Sequence, residues 1–292
     1  MTHTASAEVT LPNGYWHEGS CLRQARVQAM GEREATLDEI FAASPLPIER
    51  VSAILARCMT HLGGRACDSA EQVRELTLGD REALLLHIQR LTFGDNMACT
   101  LPCPSCSKVM DFQLQAHRLI LDGAEQPREY HEERFLVNEI QWRVRFRVPR
   151  GSDVEAAIQG PHHTTEDAAS ALLGRCIDWV RKDDEQSGKD NVLPAQWPPE
   201  LATRISERMA ELDPQAEIAL QMECPSCGHE FTSLFDAADY FFRQLSARER
   251  QLFCHVHTLA LAYHWSETEI LNMTPRKRKL YLELLDGGSS GE

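Results

Sequence analysis

Two short loops set the terms for anything this chain can fold into: Cys103-Pro104-Ser105-Cys106, and Cys224-Pro225-Ser226-Cys227 followed by Gly228-His229. Met97-Ala98-Cys99-Thr100-Leu101 precedes the first loop, and Val109-Met110-Asp111-Phe112-Gln113-Leu114 follows it. The second lies between Glu217-Ile218-Ala219-Leu220-Gln221-Met222 and Phe231-Thr232-Ser233-Leu234-Phe235. All four flanks read as β-strand. A thiolate pair three positions apart on a tight turn grips one side of a tetrahedral metal, and two such turns facing each other close the tetrahedron, as in a structural zinc ribbon. A redox Cys-x-x-Cys usually opens a helix, whose N-terminus lowers the pKa of the attacking sulfur. Here both loops lead into strand-like residues, with Gly228 where the turn needs positive φ. The reading is one structural Zn2+ held by Cys103, Cys106, Cys224 and Cys227. Residues 107–223 separate the loops, so either a domain-sized segment is inserted between the ribbon halves or each pair is half of an intermolecular site. Four ordinary cysteines would leave the near-identity of the two loops and their matching strand contexts unexplained.

A length of 292 residues allows one to three domains, each with a core of its own. A hydrophobic content of 42% and a charged content of 25% belong to a soluble globular protein. No apolar run approaches the roughly 20 residues of a membrane span, and residues 1–16 lack the basic lead and apolar core of a secretory signal. The remaining cysteines (Cys21, Cys58, Cys67, Cys99, Cys176, Cys254) are scattered, which fits a reducing cytoplasm. The formal net charge of −14 repels a phosphate backbone and disfavours nucleic acid as a partner.

The expected architecture is α+β: a mostly helical chain with a split four-cysteine ribbon, a small β-hairpin insert and a C-terminal helical module. Residues 1–45, polar and mixed with Gly14, Gly19 and Gly31, are expected to be loosely structured, apart from a short helix over 37–41. Residues 46–95 are expected to be helical. There Pro47 starts a helix over 48–61 that Gly63-Gly64 ends, and Asp80 caps a second helix with Leu84, Leu85, Ile88 and Leu91 on its apolar face. His87 on that helix reads as a packed or surface histidine. Residues 96–116 with 216–235 form the split ribbon, where Cys99 reads as strand packing, and 117–215 the insert.

In the insert, apolar residues at 140, 142, 144, 146 and 148 alternate with polar ones, the period of a half-buried strand. Phe135-Leu136-Val137 pairs with it through Asn138-Glu139 as a hairpin. Arg143, Arg145 and Arg147 line its outer face, and with Trp142 and Phe146 pointing inward they read as a solvated face or a contact with an acidic partner rather than a nucleic-acid surface. A helix capped near Thr165 is expected to run through Leu172, Cys176, Trp179 and Val180, followed by a polar linker over 182–196 and a helix over 200–212 opened by Pro198-Pro199. Residues 236–292 are read as helices over 237–244 and from Ser246, a capped helix at Ser266-Glu267-Thr268-Glu269, a last helix over 276–285 and a flexible Gly-Ser end.

Motifs of several common enzyme classes are missing: no Gly-x-x-x-x-Gly-Lys-Ser/Thr, Gly-x-Gly-x-x-Gly or His-Glu-x-x-His occurs. Pro102-Cys103-Pro104-Ser105-Cys106 has no preceding His-x-Glu of a zinc deaminase. His255 and His257 are two apart on a helix and face different sides, poorly placed to chelate one ion. The chain reads as a non-enzyme.

The tail from His257 to Leu285 is a long helix ending in aromatics, a capped short helix with Ile270 and Leu271, and a basic helix with Arg276, Lys277, Arg278 and Lys279. Those four cations at a helix N-terminus, already partly positive, are the expected partner-binding residues. They would serve either a docking module or, alternatively, a zinc-ribbon transcription regulator placing its last helix on DNA. The tail, together with Leu76-Thr77-Leu78-Gly79-Asp80-Arg81-Glu82-Ala83-Leu84-Leu85-Leu86 and Arg90-Leu91-Thr92-Phe93-Gly94-Asp95, resembles the T-even-type phage baseplate hub assembly chaperone family over roughly residues 70–115 and 213–285. The resemblance implies a zinc-knuckle-bearing baseplate or assembly protein of a phage tail-like contractile injection system. It implies baseplate, hub or tail-tube proteins as partners and a place in the particle, beside the cytoplasmic location and the lack of a membrane span read from composition above.

Overall fold

The computed structural model describes residues 5–31, 40, 46–67, 69–161, 164–182 and 197–288. The short helix expected over 37–41 (all but Ile40), nearly all of the linker over 182–196 and the Gly-Ser end lie outside the described residues.

The chain begins in a hairpin, not in the loose segment expected. Strand β1 (Ser6–His17) pairs antiparallel with β2 (Ser20–Gln28). Glu18 and Gly19 turn it at φ of 49° and 74°, the left-handed pair that matches the twist of a two-residue hairpin. Val9, Leu11, Ala25 and Val27 point into the core, so the alternating polar residues that looked like looseness are the wet face of a sheet. Helix α1 (Pro47–Cys58) follows, with proline at its start. It stops three residues short of the expected end because Met59 is already extended, and β3 (Met59–Leu62) pairs with β2. Gly63-Gly64 turns β3 into the short β4 (Arg65–Ala66) rather than ending a helix. The sheet order is β1-β2-β3-β4.

After α2 (Ala70–Arg74), helix α3 (Leu78–Phe93) runs through the middle of the main core. Its N-cap is Thr77, whose Oγ1 accepts from the Asp80 N–H at 3.2 Å; Asp80 lies inside the first turn rather than capping it. Leu84, Leu85 and Ile88 share one cluster with Ile54 and Leu55 of α1, Val27 of β2 and Phe241 from far along the chain. His87 is packed on this helix, and burial lowers its pKa to about 4, which keeps it neutral.

The insert has its own core. Strands β7 (His131–Val137) and β8 (Ile140–Phe146) form the expected hairpin, with Asn138 and Glu139 at φ of 51° and 63°. Helices α4 (Gly151–Gln159) and α5 (Thr165–Cys176) follow. The helix expected to continue through Trp179 and Val180 ends at Cys176; Ile177–Lys182 is instead β9, antiparallel to β8. Its Ile-Asp-Trp-Val alternation, rich in β-branched and aromatic residues, suits an edge of the sheet, and pairing there buries Val180 completely. Helix α6 (Pro199–Leu212) closes the inner face with Leu201, Ile205 and Met209 against Trp142, Val144 and Phe146.

The C-terminal part starts with one 27-residue helix, α7 (Ala237–Tyr263), capped by Asp236. The break expected near 245 is absent because Leu245 continues the buried stripe of Phe241. Helix α8 (Glu267–Leu271) carries the expected Ser266/Glu269 capping box, and α9 (Pro275–Gly288) folds back so that Tyr281 meets the stacked Tyr263 and Trp265 rings edge-on.

Candidate metal centre

Strands β5 (Asn96–Pro102) and β6 (Val109–Gln115) form one hairpin, and β10 (Ile218–Glu223) and β11 (Glu230–Phe235) another. Their bases root in the main core through Met97, Ala116, Ile218 and Ala237. Their tips carry the two loops, built alike. In the first, the Cys103 N–H donates to the Lys108 carbonyl and the Ser107 N–H to the Cys103 carbonyl, both at 2.9 Å. In the second, the Cys224 N–H donates to the His229 carbonyl at 2.9 Å and the Gly228 N–H to the Cys224 carbonyl at 2.8 Å. Ser107 and Gly228 hold the same place in the turn, at φ of 58° and 69°. Glycine takes that conformation at no steric cost, whereas serine is held there by the turn.

The fold brings all four predicted sulfurs together. Cys103 Sγ lies 3.8 Å from Cys227 Sγ, Cys106 Sγ lies 3.7 Å from Cys224 Sγ, and all four fall within 4.8 Å of one another. A disulfide needs about 2.05 Å, so these are four free thiols converging on one point. Leu101, Met110, Met222 and Phe231 surround them. Cys103 and Cys224 are fully buried, and Cys227 is exposed at the rim.

The electrostatics match a cation site. Backbone N–H groups of Cys106 and Ser105 aim at the Cys103 sulfur and lower its pKa; those of Ser226 and Cys227 lower Cys224 to about 7. The His229 N–H acts to lower Cys227, yet the neighbouring sulfurs of Cys224, Cys106 and Cys103 push it up to about 12. Four thiols this close share their protons unequally, and a positive ion in their midst is what makes all four thiolates compatible. A metal ion fits this group. Cys99 stands apart, its Sγ facing the Met97 carbonyl at 3.8 Å and its side chain packed on the main core.

Of the four expected partner-binding residues, Arg276, Lys277 and Lys279 are exposed at the start of α9, with Lys277 over the Tyr281 ring and Lys279 3.8 Å from Glu283. Arg278 is withdrawn from that set. It is only 4% exposed and donates to the Met273 carbonyl at 2.8 Å, stitching α9 to the turn before it. On the insert, Arg147 serves structure. It lies 2.5 Å from Asp153, which also receives the Arg150 N–H and Arg175.

One polar cluster has no counterpart in the sequence reading. Asn13, in the bulge of β1, donates from its backbone to Asp80 Oδ1 at 2.8 Å and from Nδ2 to Asp213 Oδ1 at 2.7 Å. Asp213 Oδ2 accepts from the Gly79 N–H at 2.9 Å. Burial raises Asp80 to about 7 and Asp213 to about 6. The knot fastens the end of the insert to the first hairpin and to α3. Its members are 67 to 200 positions apart, so no local pattern announces it.

Residues 48–243, more than half of the chain, match the family model described as T4 bacteriophage base plate protein. No curated protein and no solved structure matches the chain. Among the described residues no helix is long and apolar enough to cross a membrane. The chain belongs to the T4 bacteriophage base plate protein family.

Proposed function

We propose that this member of the T4 bacteriophage base plate protein family acts in assembling the hub of a contractile baseplate, as a hub chaperone or a retained component, and that Cys103, Cys106, Cys224 and Cys227 hold one structural Zn2+ for it. The observation that carries the metal half is the sulfur spacing. Zinc–thiolate bonds of about 2.3 Å in a tetrahedron set sulfur–sulfur edges of about 3.8 Å, against which the pairs at 3.8 and 3.7 Å stand. Four thiolates fill the coordination shell and leave no position for a reacting water, so the ion's work is to hold two distant stretches of chain together. The family match carries the assembly half. A protein that fixes others in order needs rigid, separately presented surfaces, and the ribbon, the insert and the C-terminal helices each have their own core. Arg276, Lys277 and Lys279 supply cations for docking on an acidic neighbour, where charge sets register and association rate.

The test has two readouts. Elemental analysis of the reduced protein is expected to give about one zinc per chain, and co-expression with hub, spike and tail-tube proteins is expected to yield a complex. Zinc without a complex removes the assembly role, and a complex without zinc removes the metal.

A further inference from the structure

The outer face of the β7-β8-β9 sheet is unlike the rest of the molecule. Across its three strands Arg134 lies opposite Arg143, and Arg143 opposite Arg181. Neighbouring strands are about 4.8 Å apart, so these positions form a row about 10 Å long. Like charges directly opposite on paired strands destabilise a sheet, and the inner face alone supplies the insert's core. The insert's core therefore does not require the row, which stands out in a chain of net charge −14. Arg145 adds a fourth guanidinium beside it. Among the described residues, Glu132 pairs with Arg143, and Asp178 lies 3.3 Å from Arg145. Both pairs are about half exposed, where an ion pair contributes little and exchanges readily for another.

The arginines are also preorganised. The Arg145 guanidinium sits 4.5 Å over the Tyr130 ring, and Arg181 sits 4.3 Å over Trp179. A guanidinium laid on an aromatic face keeps its in-plane N–H fork for a planar carboxylate. The same stacking covers ring faces that a nucleobase would need, and the net charge opposes a phosphate backbone. Leu136, 57% exposed on this face, adds apolar contact beside the charges.

We infer that this sheet face docks an acidic protein segment, whose carboxylates are taken by the row of Arg134, Arg143 and Arg181 with Arg145 alongside. The inference depends neither on the metal nor on which particle the protein serves.

Fluorescence anisotropy of the full, zinc-loaded chain with a labelled oligoglutamate of about ten residues tests it, with an oligothymidylate of equal length as the second probe. Wild type is expected to bind oligoglutamate at low salt despite its own negative charge. Arg143→Gln with Arg181→Gln is expected to weaken binding about tenfold or more, the loss of two charge-assisted bidentate contacts. Arg143→Lys with Arg181→Lys, which keeps charge but not the fork, should fall between. Arg276→Gln with Lys277→Gln, on the other basic surface, should stay within about twofold of wild type, since distant sites act independently. Near-UV circular dichroism of the buried Trp142 checks that the sheet stands, and Arg134→Gln replaces the double variant if it does not. No binding by wild type, equal binding by the sheet variants, or tighter oligothymidylate binding lost in those variants would each overturn the proposal.

Discussion

Each half of the ribbon is a two-stranded antiparallel hairpin, and the insert's sheet starts from one as well, yet the two regions are held together by different physics. Along β5, β6, β10 and β11 the side chains alternate between exposed and half-buried, and near the tips only Cys103, Met110 and Cys224 are buried. Two-stranded hairpins of that kind are marginal in water, so an ion on the four sulfurs, as proposed, would be what holds the tips together. The insert buries Trp142, Val144, Phe146, Val180, Leu201 and Ile205 in one continuous cluster and needs no ion. A chain can thus place rigid hairpins in two ways: by a point of strong coordination where there is too little apolar surface, or by apolar area where a third strand and a helix are at hand.

The sharpest break in this comparison is metal removal. Structural zinc is worth on the order of 10 kcal/mol or more in small domains. Chelation at neutral pH, or Cys224→Ser, is therefore expected to abolish amide-exchange protection over 97–115 and 218–235 while leaving 131–146 protected. Simultaneous loss in both regions would show that the insert leans on the ribbon. The converse substitution is Phe146→Ala, expected to cost about 3–5 kcal/mol as a large-to-small change in a sealed core. Denaturant unfolding should register that cost, with zinc content unchanged.

Acidity separates the two regions as well, with opposite signs. Asp80 and Asp213, which pin the insert's return to the body, have folded pKa values of about 7 and about 6, above an unfolded value near 3.9. The folded state therefore binds protons that the unfolded chain releases, and stability present below about pH 4 is lost as pH rises to about 7. Asp80→Asn keeps an acceptor for the Asn13 N–H and is expected to flatten that loss in thermal melts taken across pH 4–8. Affinity for the proposed metal would run the other way, because thiols must shed protons to bind, so the ribbon would gain as the knot weakens. The smallest effect lies in the turns. Gly228→Ala meets no neighbouring atom but must hold φ near 69°, and is expected to cost about 1 kcal/mol. Ser107→Gly, at the matching position, should gain up to about 1 kcal/mol. Melts of the loaded protein would resolve both.

The two loops were legible because their chemistry is local: Cys-Pro-Ser-Cys and its strand flanks lie within a few residues. The fold-level α+β reading and the 140–148 alternation were legible for the same reason. Residues 177–182 were not, since Leu172, Cys176, Trp179 and Val180 recur at helical spacing and only pairing with β8 decides in favour of a strand. Met59–Leu62 was lost to the preceding helix in the same way. The first hairpin hid behind its polar face, and Gly14 and Gly19 read as looseness when they mark a bulge and a turn. Arg278 shows the limit of reading charge runs, because nothing in Arg-Lys-Arg-Lys says which member folds inward. The Asn13–Asp80–Asp213 knot was out of reach altogether, being assembled from three separated stretches.

The distance along the chain between the two cysteine pairs has a consequence for biosynthesis. Cys106 is made 118 residues before Cys224, and at ribosomal speeds of about 5–20 residues per second the first half-site waits about 6–24 s for the second. Throughout that interval any ion on the nascent chain is held by two sulfurs and is free to leave. Permanent loading of the proposed ion would therefore wait until the second pair has been translated.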